Sequence, residues 1–152
     1  NGMPNMINRH QNPLWWQLTC DDISGIFITD GHHLPADFIK VALRAKTIKR
    51  FIVVSDATDL GGLKPGDYHF KGHAVVLEKS GRIGFKGTPY LAGSSATMLQ
   101  CMNYRASLNL MNEKVLWTVG GDNPLRLLGR RLKTHPANTP TVVFKSNRFA
   151  LA

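Results

Sequence analysis

Cysteine is scarce: Cys20 and Cys101 are the two in 152 residues. Without a CxxC spacing they exclude a disulfide scaffold, point to a reducing compartment, and read as small buried hydrophobes rather than nucleophiles. No apolar run approaches the roughly 18–20 residues a membrane span requires, which excludes a transmembrane protein. No basic-then-apolar signal segment follows Asn1. Acidic side chains are also few, 10 Asp+Glu against 19 Lys+Arg, for a formal net charge of +9. That excess suits an anionic partner or a phosphate-bearing substrate. Hydrophobic residues at 43% can build a core, so disorder is excluded and one domain is the natural reading. Neither an internal repeat nor a low-complexity tract is present.

The chain starts at Asn1 rather than Met, and Thr141 to Leu151 reads as a strand that stops without a closing element. Both ends are therefore expected to be cut. Four Asn in the first twelve residues, with Pro4, read as loop. Pro13 to Leu18 reads as a short buried helix with Pro at its first position. Ser24 to Thr29 is a continuous apolar run that suits a strand covered on both faces. Phe38, Ile39, Ala42, Leu43 and Ala45 have helical spacing within Pro35 to Lys46, and Arg50 to Ser55 is a second apolar strand. Strand, helix and strand within about thirty residues make a βαβ unit with parallel strands.

Between Thr58 and Leu91 seven glycines and two prolines punctuate short segments, read as antiparallel hairpins with Lys79-Ser80-Gly81 joining two of them. Ser94-Ser95 is expected to cap a helix through Met98, Leu99, Met102 and Leu108. Asn112 is expected to cap the next, with Val115, Leu116 and Val119 inward and Gly120-Gly121 ending it. A third starts at Asn123-Pro124, with Leu127 and Leu128 inward and Gly129 at the stop.

Both apolar strands end in polar clusters, Thr29-Asp30-Gly31-His32-His33 and Ser55-Asp56-Ala57-Thr58. In parallel α/β folds, the carboxyl ends of strands form the rim of the site. A carboxylate delivered there is costly unless paired, hydrogen-bonded or next to a metal. Asp56 is accordingly either a general base or metal partner, or a cap for the glycine-rich segment behind it. Adjacent histidines on an extended chain point in opposite directions. One of His32 and His33 is therefore expected at the rim and the other packed beneath. Leu91-Ala92-Gly93-Ser94-Ser95 either presents backbone N–H groups to an anion or polar substrate, or simply caps a helix. Arg9 is a phosphate partner or one of many solvated charges.

Together, Asn1-Gly2-Met3-Pro4, Arg9, Asp30-Gly31-His32-His33, Val54-Ser55-Asp56-Ala57-Thr58, Leu91 to Ser95 and Asn123-Pro124 through Leu128-Gly129 follow the order and spacing of a known family. The chain resembles the N-acetylglucosamine-6-phosphate deacetylases of the amidohydrolase superfamily, over most of its length and less so after Arg130. The resemblance implies an α/β fold, the C-terminal part of a (β/α)8 metal-dependent hydrolase barrel with an inserted hairpin segment. Residues 1–130 would be the barrel portion and 131–152 part of a small β domain. It implies that Asp56 takes a proton from metal-activated water and returns it to the leaving amine. His33 would hold sugar hydroxyls or the carbonyl, and the backbone of Asn1 and Gly2 would meet the 6-phosphate. Arg9 would ion-pair with that phosphate, in some members across a dimer interface, and Leu91, Ala92 and Gly93 would line the pocket.

One departure is decisive. The family's metal-binding Glu and two His lie upstream of Asn1, and none of His10, His69, His73 or His135 has spacing that would replace them. The resemblance thus implies a divalent metal such as zinc in a full-length, cytoplasmic, homodimeric enzyme acting on an amino-sugar phosphate, but no metal ligand in this chain. Alone, the chain is expected to be inactive. Two rival readings remain. One is a basic nucleic-acid-binding module, against which the positive residues are dispersed, Arg126, Arg130, Arg131 and Lys133 apart, with no basic-helix signature. The other is a non-catalytic barrel remnant. The expectation carried forward is a small-molecule substrate, with neither nucleic acid nor membrane as partner.

Overall fold

A computed structural model describes residues 1, 8–131 and 140–152. Its first unit is strand–helix–strand. A short helix α1 (Pro13–Thr19) precedes strand β1 (Gly25–Ile28), helix α2 (Ala36–Arg50) and strand β2 (Phe51–Val54). β1 and β2 pair in parallel, Gly25 opposite Phe51 through Ile28 opposite Val54, as the βαβ grammar predicts. Phe27 and Phe51 stack across this pair with ring centroids 4.3 Å apart. Ile39 and Ala42 of α2 are fully buried against them in the larger of two cores. The expected coverage of both strand faces is only partial, because Ile26 is exposed. α1 is likewise not a buried helix: Leu18 is its buried side chain, while Trp15 and Trp16 face solvent.

α2 breaks at Thr47, whose φ of 57° lies in the left-handed region. The break would orphan carbonyls near the start of β2, and Asn123 takes them up. Its fully buried amide donates to Ile48 O at 2.6 Å and Phe51 O at 2.7 Å, and its Oδ1 accepts from Arg126 Nη2. Leaving the buried Phe51 carbonyl unpaired would cost about 1–3 kcal/mol. Asn123 is thus a bracket on β2 rather than the helix cap expected of it.

β3 (Gly66–Phe70), β4 (His73–Leu77), β5 (Arg82–Phe85) and β6 (Leu91–Ser94) form one antiparallel sheet in sequence order, over a second small core of Leu60, Val75, Leu77 and Ile83. Leu91 to Ser94 is a strand, so the following helix, α3 (Met98–Ser107), starts later than expected. Thr97 caps it and forms a reciprocal capping box with Gln100. Asn112 caps α4 (Glu113–Trp117), as its position predicts. Gly120-Gly121 does not stop that helix. The backbone passes through a π-helical turn (Thr118–Asp122) into α5 (Asn123–Leu127). A Cβ at Gly120 would stand 2.5 Å from Met102 Sδ, so the glycine serves close packing on α3. Leu127 and Leu128 point outward, 55% and 70% exposed, against the expected inward placement.

The final segment is not one strand but a hairpin, β7 (Val142–Lys145) with β8 (Arg148–Leu151). Ser146 and Asn147, at φ 49° and 57°, make its two-residue turn. Phe149 sits in the larger core, and Asn103 on α3 exchanges two hydrogen bonds with its backbone. Lys133 and His135 lie outside the described residues.

Candidate functional site

Because β1 and β2 run parallel, the segments that leave them emerge at one end of the pair. Asp30 to His33 leaves β1 there, and Ser55 to Thr58 leaves β2. β6 joins them: Ala57 bridges Ser94 in parallel, and Thr58 donates its backbone N–H to Ser94 O at 2.8 Å and its hydroxyl at 3.2 Å. Gly93 makes this approach possible. Its φ of 154° is a glycine conformation, and a Cβ there would lie 2.6 Å from Thr58 Cγ2. His33, Asp56 and Leu91-Ala92-Gly93 are therefore brought to the same end by three strands.

The two carboxylates at this rim differ in circumstance. Asp30 accepts the backbone N–H groups of His32 and His33, both at 2.9 Å, and His33 Nδ1 at 2.7 Å. Burial pushes its pKa up, but the hydrogen bonds from His33 and His32 and the charge of His33 outweigh it, holding the carboxyl down at about 2. An ionised carboxylate only accepts, so Nδ1 of His33 carries a proton. Nε2 of a neutral His33 is then an acceptor, and of a charged one a donor. The side chains of Asp30 and His33 are 2% and 10% exposed. The sequence places Asp30 in the polar cluster at this strand exit but gives it no role; the signal for one is an Asp whose side chain can turn back onto the next N–H groups.

Asp56 is exposed and adopts φ 48°. Its carboxylate has no hydrogen bond or ion pair among the described residues. His32 fills neither the rim nor the core beneath it. Its Nε2 meets Ser80 O at 3.2 Å, and Ser95 Oγ donates to Gly81 O at 2.6 Å, which together pin the β4–β5 turn to the rim.

Asn1 lies along the free edge of β1. Its Nδ2 donates to Ile26 O at 2.9 Å and its Oδ1 accepts from Ile28 N at 3.0 Å. One residue of a neighbouring parallel strand would present that same donor and acceptor. The side chain of Asn1 is thus spent on the strand edge, leaving its backbone for other contacts. With His33, Leu34, Trp16, Phe38 and others it lines a cleft of about 700 Å³. Gly2 lies outside the described residues. Arg9 is exposed, its carbonyl accepts from Trp15 Nε1, and it does not line that cleft. Among the described residues no group of three or more His, Cys, Asp or Glu side chains is placed to hold a metal ion, so these residues do not fit the metal that the resemblance implies. Cys101 is buried, with its thiol pushed up to about 11 chiefly by burial. No helix among the described residues is long and apolar enough to cross a membrane.

No family model matches the chain, and no curated protein does. Solved structures do. An N-acetylglucosamine-6-phosphate deacetylase from Thermotoga maritima is 25% identical with a TM-score of 0.66, covering 74% of this chain and 30% of that one. A Mycobacterium smegmatis N-acetyl-D-glucosamine-6-phosphate deacetylase mutant, solved in complex with N-acetyl-D-glucosamine-6-phosphate, is 21% identical with a TM-score of 0.75, covering 86% and 35%. The enzyme from Pasteurella multocida is 19% identical with a TM-score of 0.72, covering 89% and 37%. The chain spans about a third of the length of each. In fold, these residues correspond to about a third of an N-acetylglucosamine-6-phosphate deacetylase.

Proposed function

We propose that this chain supplies the proton-transferring carboxylate and part of the sugar-phosphate surface of an N-acetylglucosamine-6-phosphate deacetylase, on a (β/α)8 barrel of which β1 and β2 are two strands. The observation that carries the reading is Asp56, unpartnered among the described residues, at the exit of β2, level with the Asp30 that orients His33, in a fold shared with these deacetylases. Asp56 takes a proton from the attacking water and delivers it to the amide nitrogen as the C–N bond breaks. The carboxylate ends as it began, with acetate and glucosamine 6-phosphate as products. An exposed carboxylate that nothing else holds can make both transfers.

His33, locked through Nδ1 by Asp30, directs Nε2 at a sugar hydroxyl or the carbonyl oxygen. Leu91, Ala92 and Gly93 line the substrate pocket. The backbone of Asn1 and Gly2 meets the phosphate, and Arg9 pairs with it across a homodimer interface. The divalent ion that polarises the carbonyl in such enzymes would need ligands from outside the described residues. Neither nucleic acid nor a membrane has a part in this reading.

The test is turnover of N-acetylglucosamine 6-phosphate by the product of the complete reading frame, with Asp56→Asn alongside. Loss of turnover in the variant is expected. A variant that keeps the normal rate overturns the reading. The 152-residue chain alone, given divalent metal, is expected to show no turnover.

A further inference from the structure

The β4–β5 turn is built as a brace rather than a loose connection. Gly81, at φ 87°, closes it by donating its backbone N–H to Glu78 O at 3.0 Å, while Glu78 N donates to Arg82 O at 2.9 Å. The Glu78 carboxylate accepts from Arg82 Nη1 at 2.8 Å and from Ser80 Oγ at 3.2 Å. Segments distant in the chain grip this stiffened turn at two points. His32 Nε2 meets Ser80 O at 3.2 Å, and a carbonyl only accepts, so that nitrogen carries the proton. Ser95 Oγ donates to Gly81 O at 2.6 Å, and a Cβ at position 81 would stand 3.3 Å from that hydroxyl.

The two grips flank the candidate substrate contacts. His32 immediately precedes His33, and Ser95 follows Gly93-Ser94. β1 and β6 belong to different sheets, so no shared ladder among the described residues sets the distance between their exits. Thr29 holds the base of the β1 exit, its hydroxyl donating to Cys101 O at 3.1 Å, and the turn holds the tip. The exit of β2, which carries Asp56, is tied to β6 separately through Thr58 and Ser94.

We propose that His32, acting with Ser95 through the β4–β5 turn, is a positioning residue that sets the span between His33 and the Leu91–Gly93 segment, and through it the affinity for the sugar phosphate. The inference rests on the deacetylase reading above. Binding groups on two segments hold one substrate only while their separation is fixed. Asp56 has its own anchor to β6, so releasing the turn weakens substrate binding and leaves proton transfer nearly intact.

The complete protein tests this as parent, His32→Ala and His32→Gln, whose side-chain amide still donates to Ser80 O. In turnover of N-acetylglucosamine 6-phosphate, His32→Ala is expected to raise KM about tenfold with kcat within about twofold, and His32→Gln to stay near the parent. Trypsin cleavage after the exposed Lys79, followed by intact mass, reads the tie without activity. It should be about tenfold faster in His32→Ala than in the parent or His32→Gln, because a released turn opens more often. Faster cleavage with an unmoved KM overturns the proposal, since the tie then exists without serving the substrate. An unchanged cleavage rate, or a KM raised equally in both variants, overturns it too. A parent without turnover overturns the deacetylase reading itself, and this role with it, before any substitution is made. If His32→Ala does not fold, Ser95→Ala cuts the same tie from the other side, and an unmoved KM there overturns the proposal.

Discussion

The exits of β1 and β2 sit side by side, and each delivers an aspartate, yet the two have opposite fates. The Asp30 side chain is buried and accepts from two backbone N–H groups and an imidazole. Asp56 stands in solvent without a partner among the described residues. A carboxylate with three hydrogen bonds engaged in holding its neighbours is an orienting group. One with none engaged is available to a substrate. The same residue type at the same level of one parallel pair therefore divides into support and chemistry, and the division is decided by the turn that follows each strand.

Exchanging each aspartate for asparagine in turn breaks this comparison most directly. In the complete protein, Asp56→Asn is expected to lower kcat by roughly 10²–10⁴-fold, the range for losing a general acid–base. Its Tm should stay within about 1 °C of the parent, because nothing in the fold holds that carboxylate; a large drop in Tm would show that it is a structural cap. Asp30→Asn should do the reverse in the 152-residue chain. It keeps an acceptor for the backbone N–H groups but loses the charge facing His33, at a cost of about 2 kcal/mol. For a chain of this length that is a Tm lower by about 4–8 °C.

The pH dependence sharpens the same contrast. A carboxyl held down to about 2 from 3.8 contributes stability that is complete above the unfolded value and is lost as pH falls through the folded one. Denaturant unfolding between about pH 4 and pH 2 should lose about 2 kcal/mol in the parent, and correspondingly less in Asp30→Asn. Equal acid sensitivity in both would remove Asp30 from the account. Next in size is the contact that draws β6 to the exit of β2. Gly93→Ala should cost about 1–3 kcal/mol by chemical denaturation, from the clash with Thr58 and the backbone strain. Adding Thr58→Ser removes the clashing methyl, keeps the hydroxyl bonded to Ser94, and should recover part of the loss. The smallest effect is at Cys101, which should resist alkylation by iodoacetamide at pH 8 until the protein unfolds.

Much of this arrangement was legible from residues alone. The β1–α2–β2 unit follows from two apolar runs flanking a helical repeat. The hairpins follow from their glycines, and α4 from Asn112. Where reading along the chain failed, a distant partner had intervened. Gly120-Gly121 looked like a helix stop because glycine weakens helices, but Met102 needs the space and the backbone continues through a π turn. Asn123 looked like a cap, but the break at Thr47 offers it two carbonyls, that of Phe51 buried and that of Ile48 partly so. Ser94-Ser95 looked like a helix start, but Ser94 pairs with Ala57 and Thr58 as the end of a strand.

Sequence by itself determined the alternation of elements, the parallel pairing, and the presence of Asp30 and Asp56 at strand exits, because periodicity and turn chemistry are local. Tertiary structure alone decided which aspartate is locked, that Asn1 completes a strand edge, and that His32 and Ser95 grip the β4–β5 turn. Those outcomes depend on desolvation and on partners many residues away, and neither is encoded in the spacing of neighbours.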